Sequence, residues 1–139
     1  MLWGLAVFYI GWSTLVGFWA TAVDVPVSAL VSNALRAMYA VGVPEFINYY
    51  LVEFLANVAF FVPIGALLTA LLPRRLCWAA LVGSALFSLA IELGQLLFLP
   101  GRYASLGDVS ANSIGGAIGV ATIVALRLAV NRRRTVHQS

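Results

Sequence analysis

Apolar residues fill four long stretches of the chain: residues 2–23, 49–72, 76–99 and 108–130. Each reaches the roughly 20 residues that a helix needs to cross a hydrocarbon layer about 30 Å thick. Between the first two, Val27, Leu30, Val31, Ala34, Leu35 and Met38 recur at i, i+3, i+4, i+7 spacing. Ser28, Ser32, Asn33 and Arg36 fall mostly elsewhere. That spacing predicts an amphipathic helix over 26–40, too polar to span and suited to lying at a membrane surface. Pro26 fits its first turn, Asp24 is a candidate cap upstream, and Gly42 and Pro44 end it. It reads either as a re-entrant connector or as a lid over a site enclosed by the spans. The predicted architecture is an all-α membrane protein with four transmembrane helices and one interfacial helix between the first two. A single domain covers 1–130, and a loose basic tail covers 131–139.

Composition reinforces the pattern. The chain is 63% hydrophobic and 9% charged, far from the roughly 25% charged of a soluble domain. Its eight basic residues are all arginine and form no single stripe, which sets nucleic acid aside as a partner. Cys77 and His137 are the only Cys and His, so neither an internal disulfide nor a Cys/His metal set is available. Cys77 reads as a small apolar filler. Ala20-Thr21-Ala22 resembles a signal-peptidase site, but no positive region precedes it, so the first span is expected to stay. Trp3, Trp12 and Trp19 read as packing or interface residues.

With four spans, Arg74, Arg75, Arg132, Arg133 and Arg134 share one side, and Arg127 can snorkel toward it. Only Arg36 and Arg102 lie on the other. The positive-inside rule then places both termini and the 73–75 turn in the cytoplasm.

Polar residues inside the spans carry the candidate chemistry. Glu53 and Asn57, Glu92 and Gln95, and Asp108 and Asn112 are spaced at i,i+4 or i,i+3, so each pair shares a helical face. Helix direction puts all three pairs in the outer half of the bilayer, under Arg102 in the outer loop. An ionisable group buried in a bilayer costs about 2.5–3.5 kcal/mol on insertion scales. A hydrogen-bonded plug is the structural alternative, but such contacts give only about 0.6 kcal/mol each. Asp108 also has a plain reading as an N-cap, and Arg102 as its ion partner. Pro63 and Gly65 mark a kink in the second span. Gly115 and Gly119 form a small-residue face for close packing.

These residues, in this order, resemble the VanZ-like family of small bacterial membrane proteins. The resemblance lies in Asn57-Val-Ala-Phe-Phe61-Val-Pro63-Ile-Gly65, Glu92-Leu-Gly-Gln95, Arg102 and Asp108-Val-Ser-Ala-Asn112-Ser-Ile-Gly115, across about 45–125. The family is named for a protein conferring low-level resistance to the glycopeptide antibiotic teicoplanin. It implies a bacterial plasma-membrane location and a role at the envelope.

Two functions fit the polar set. In the first, Asn57, Gln95, Arg102, Asp108 and Asn112 bind a membrane lipid, a lipid-linked cell-wall precursor or the antibiotic. In the second, Glu53 and Glu92 act as general base and acid on a lipid-linked head group, with the amides orienting it. A metal-dependent variant would need carboxylates around a hard cation such as Mg²⁺; the sequence specifies no metal set and no cofactor. A proton-coupled transporter fits less well, because the inner halves of the spans carry almost no polar residues. A homo-oligomer would change that, which keeps a second copy among the candidate partners.

Overall fold

The computed structural model describes residues 1–18, 24–99 and 105–136, with only the backbone described for 24–28 and 134–136. Five α-helices account for most of it: α1 (Leu2–Phe18), α2 (Asp24–Ala40), α3 (Tyr49–Leu71), α4 (Cys77–Phe98) and α5 (Leu106–Val136). A single 3₁₀ turn, Arg74–Leu76, leads into α4. Three helical segments are long and apolar enough to cross a membrane: Tyr49–Leu71, Arg74–Phe98 and Leu106–Arg133. The first helix is apolar but is described over 17 residues, against the 22 expected from sequence.

The distribution of side chains is inverted relative to a water-soluble bundle. Ser13, Thr69, Ser84, Ser88, Glu92 and Asn112 are buried, while Leu55, Leu86, Leu97 and Leu126 are more than half exposed. Apolar solvent outside and small or polar contacts inside are what lipid requires, since leucine gains little by leaving a lipid tail for another helix. The chain is therefore a multi-pass membrane protein.

Helix ends follow local chemistry. Asn48 caps α3, its side-chain oxygen accepting from Leu51 N–H at 3.1 Å. At the end of α2, Gly42 has φ +91°. Gly42 N–H bonds to Tyr39 O and Val43 N–H to Met38 O, each at 3.1 Å. This is the Schellman arrangement, and it needs a residue tolerant of positive φ. The α2 range matches the sequence expectation, although the Asp24 and Pro26 side chains fall outside what is described.

Two boundaries differ from the sequence reading. The last helix begins at Leu106, not Asp108, and the capping side chain is Ser105, whose Oγ accepts from Asp108 N–H at 3.2 Å. Asp108 is thus inside the first turn and is not the N-cap; a serine three residues before an acid is the better cap signal. At the other end, α5 continues through Val136, so residues 131–136 are helical and not a loose tail. A helix of 31 residues is about 46 Å long, more than the bilayer core requires.

Helices α3 and α5 run parallel and pack backbone to backbone. A Cβ built on Gly65 would fall on the carbonyl oxygen of Gly116, and one on Gly115 on that of Val58. A Cβ on Gly119 would lie 2.6 Å from Ala66 N. Only hydrogen in those places lets the two helices approach so closely. Pro63 lies inside α3, which stays helical through it. Antiparallel to both, α4 brings Ser84 against Gly116. A small apolar core of Phe61, Ile64 and Ile91, with Tyr9, Phe60, Leu68 and Phe87 around it, joins α1, α3 and α4.

Candidate functional site

One end of the bundle collects the start of α3, the end of α4, the start of α5 and the end of α1. Between them lies a pocket of about 380 Å³, within the range of small-molecule sites. Glu53, Asn57, Glu92, Gln95, Asp108 and Asn112 all line it, together with apolar groups such as Ile91, Phe60 and Val31 of α2. Of the seven polar residues singled out from the sequence as catalytic or ligand-binding, these six are brought together. The seventh, Arg102, lies outside the described residues. Pro63 is not a lining residue; Gly65, Gly115 and Gly119 build the α3–α5 contact behind the pocket wall.

Depth separates the lining. Glu53 and Ala56 are exposed at the mouth. Asn57, Gln95 and Asp108 are half-buried. Glu92 and Asn112 form the floor, 4% and 5% exposed. Asn112 lies six residues into α5, about 9 Å along the axis.

Five of these six polar groups are fixed by a neighbour on another element. Asn57 Nδ2 donates to Asp108 Oδ1 at 2.9 Å, tying α3 to α5. Gln95 Nε2 donates to the carbonyl of Gly17 at 2.7 Å, tying α4 to the end of α1. Asn112 Nδ2 donates to Ser88 Oγ at 2.9 Å, tying α5 to α4. Glu92 Oε2 accepts from Ser105 N–H at 2.9 Å, setting a carboxylate at the positive end of α5. Phe18 packs on Gly94, where an added Cβ would lie 3.1 Å from its Cε1, so α1 closes that side of the pocket. The Oδ1 of Asn112 is fully buried and has no hydrogen-bond partner among the described residues. Buried acceptors without partners are uncommon and call for an explanation.

Ser88 and Ser105 escaped the sequence reading, although the signal was there. Ser84, Ser88 and Glu92 are spaced by four residues, a continuous polar stripe down one face of α4. Arg127 reaches toward the Arg74 end of the bundle, and its contacts there are with backbone carbonyls of α3. Its Nη2 lies 2.8, 3.1 and 3.1 Å from the carbonyls of Thr69, Ala70 and Leu72, at the bundle end remote from the pocket.

Comparison with known proteins gives one match. The family model described as VanZ/LLP1 covers residues 4–127, so it takes in α1 and α2 as well as the stretch 45–125 that carries the polar residues. No curated protein and no solved structure matches the chain.

Proposed function

Because the chain belongs to the VanZ/LLP1 family, we propose that it is a four-span protein of the bacterial plasma membrane whose pocket binds a lipid-borne head group. In this reading α1 is the first span, both termini face the cytoplasm, and the pocket opens in the outer half of the bilayer. The arginine asymmetry supports that orientation, with Arg74, Arg75, Arg127, Arg132 and Arg133 at one end of the bundle. Candidate ligands are an envelope lipid, a lipid-linked cell-wall precursor and a glycopeptide antibiotic.

The observation that carries the reading is the buried Oδ1 of Asn112, without a partner among the described residues, at the floor of a pocket lined by acids and amides from α3, α4 and α5. A structural plug would be expected to close its own hydrogen bonds, since an unmet buried acceptor costs about 1–3 kcal/mol. A donor from a bound head group would meet it.

A second reading, an intramembrane enzyme acting on such a head group, has one observation in its favour. Glu53 and Glu92 line one pocket in unlike surroundings, the first exposed and the second 4% exposed. Unlike environments are how paired carboxyls take separate acid and base roles. Transport has less support: below the pocket, the hydroxyls of Thr69 and Ser84 donate to Gly65 O and Leu81 O of their own helices.

Native mass spectrometry of the chain in lipid nanodiscs tests both. Binding predicts a retained lipid that is lost on blocking the mouth with Ala56→Trp. Catalysis predicts a changed substrate mass that Glu92→Gln abolishes. Identical lipid retention by wild type and Ala56→Trp, with no mass change, would overturn both readings.

A further inference from the structure

The three amide side chains of the pocket share an orientation that restricts what it accepts. Asn57, Gln95 and Asn112 each commit the NH₂ end to a protein acceptor: the Asp108 carboxylate, the Gly17 carbonyl and the Ser88 hydroxyl oxygen. A carboxylate and a carbonyl only accept, so the first two orientations are fixed by chemistry. Each NH₂ keeps a second N–H, but the one fully buried side-chain polar atom left without a partner among the described residues is the oxygen of Asn112.

Part of the backbone at the start of α5 is committed as well. Ser105 N–H goes to Glu92, and Asp108 and Val109 N–H go to Ser105. The chain's own carboxylate thereby takes up part of a helix start that would otherwise attract an anion.

We infer that the pocket selects head groups that donate hydrogen bonds, an ammonium or a set of hydroxyls, and discriminates against a bare phosphate. This rests on the head-group reading of the site and adds the class of ligand. A donor group reaching the floor would satisfy Asn112 Oδ1, beneath the Asn57 and Gln95 side chains that line the pocket above it. A phosphate would bring a second set of acceptors against them. Choline marks the boundary of the rule: it is cationic but has no N–H to give.

The test uses the full chain in nanodiscs of phosphatidylcholine doped with one probe lipid at a time, read by native mass spectrometry. The probes are phosphatidylethanolamine (ammonium donor), diglucosyl diacylglycerol (hydroxyl donors) and phosphatidic acid (phosphate alone). The expected result is that at least one donor lipid is retained about tenfold over phosphatidic acid and over phosphatidylcholine, one hydrogen bond's worth of discrimination. Asn112→Leu should remove that preference. Because Asn112→Leu also loses the Ser88 bond, Ser88→Ala serves as the control: it breaks the same bond, leaves Oδ1 in place and should keep the preference.

Free ethanolamine and glucose, added in competition, separate a head group read alone from one that needs its acyl chains. Competition at concentrations comparable to the lipid, or its absence, supports the donor rule in its soluble or lipid-borne form. Phosphatidic acid retained as well as the donor lipids would overturn the inference and leave the head-group reading standing. Retention of no probe above phosphatidylcholine would overturn both.

Discussion

Nη2 of Arg127, in the second half of α5, lies 2.8 Å from the carbonyl oxygen of Thr69 in the last turn of α3. The same nitrogen reaches Ala70 O and Leu72 O, while Arg74 Nη2 donates to Arg127 O at 2.7 Å. The last carbonyls of a helix have no partner within it and carry the negative end of its dipole. A guanidinium satisfies several at once, with a cation where the dipole favours one.

Arg127→Leu is therefore expected to destabilise the bundle by about 1–3 kcal/mol, the cost of leaving those carbonyls unmet. Arg127→Lys should recover part of it, because an ammonium lacks the planar fork. Thermal unfolding in detergent measures both; equal midpoints for wild type and Arg127→Leu would remove the assigned role.

Glycine substitutions should divide sharply by position. Gly65→Ala or Gly119→Ala puts a methyl into the facing backbone, and overpacking of this kind costs about 1–3 kcal/mol or more. Gly4→Ala and Gly11→Ala meet nothing within 4 Å and should be neutral or stabilising by up to about 1 kcal/mol through helix propensity. Comparing yield of folded protein and unfolding midpoint across the four variants checks the division.

The Asn57–Asp108 bond joins α3 and α5 at the pocket. A double-mutant cycle with Asn57→Ala and Asp108→Ala should return a coupling of about 1–3 kcal/mol, typical of a hydrogen bond to a charged group. Additive effects of the two substitutions would show that the bond contributes nothing.

Orientation has a direct check through the single cysteine. Starting from Cys77→Ser, a cysteine introduced at Arg75 should be labelled by a membrane-impermeant thiol reagent only after the cytoplasmic side is opened. One introduced at Phe46, 70% exposed before α3, should be labelled in intact cells. The reverse pattern would turn the protein over and place the pocket in the inner leaflet.

The convergence of Glu53, Asn57, Glu92, Gln95, Asp108 and Asn112 was legible because helical spacing and alternating direction fix the height of each residue. Their partners were not. Which acceptor takes the Gln95 amide depends on Gly17 O, and every residue offers a carbonyl. The partners of Arg127 were hidden for the same reason, since they are backbone atoms of another helix. Ser88 was passed over because a small hydroxyl reads as filler in an apolar run. The length of α5 was underestimated because the arginines after Val130 suit a helix in water as well as a coil.

The glycine seam has a mechanical meaning. With no side chain between them, α3 and α5 have little play at that contact and together carry four of the pocket's six acids and amides. Any breathing that admits a bulky guest must then come from the opposite wall. There α1 is held to α4 by Gln95 on Gly17 and by Phe18 against Gly94, and to α3 by the Tyr9 hydroxyl on Phe60 O. Opening a way in on that side means breaking those contacts of the first helix.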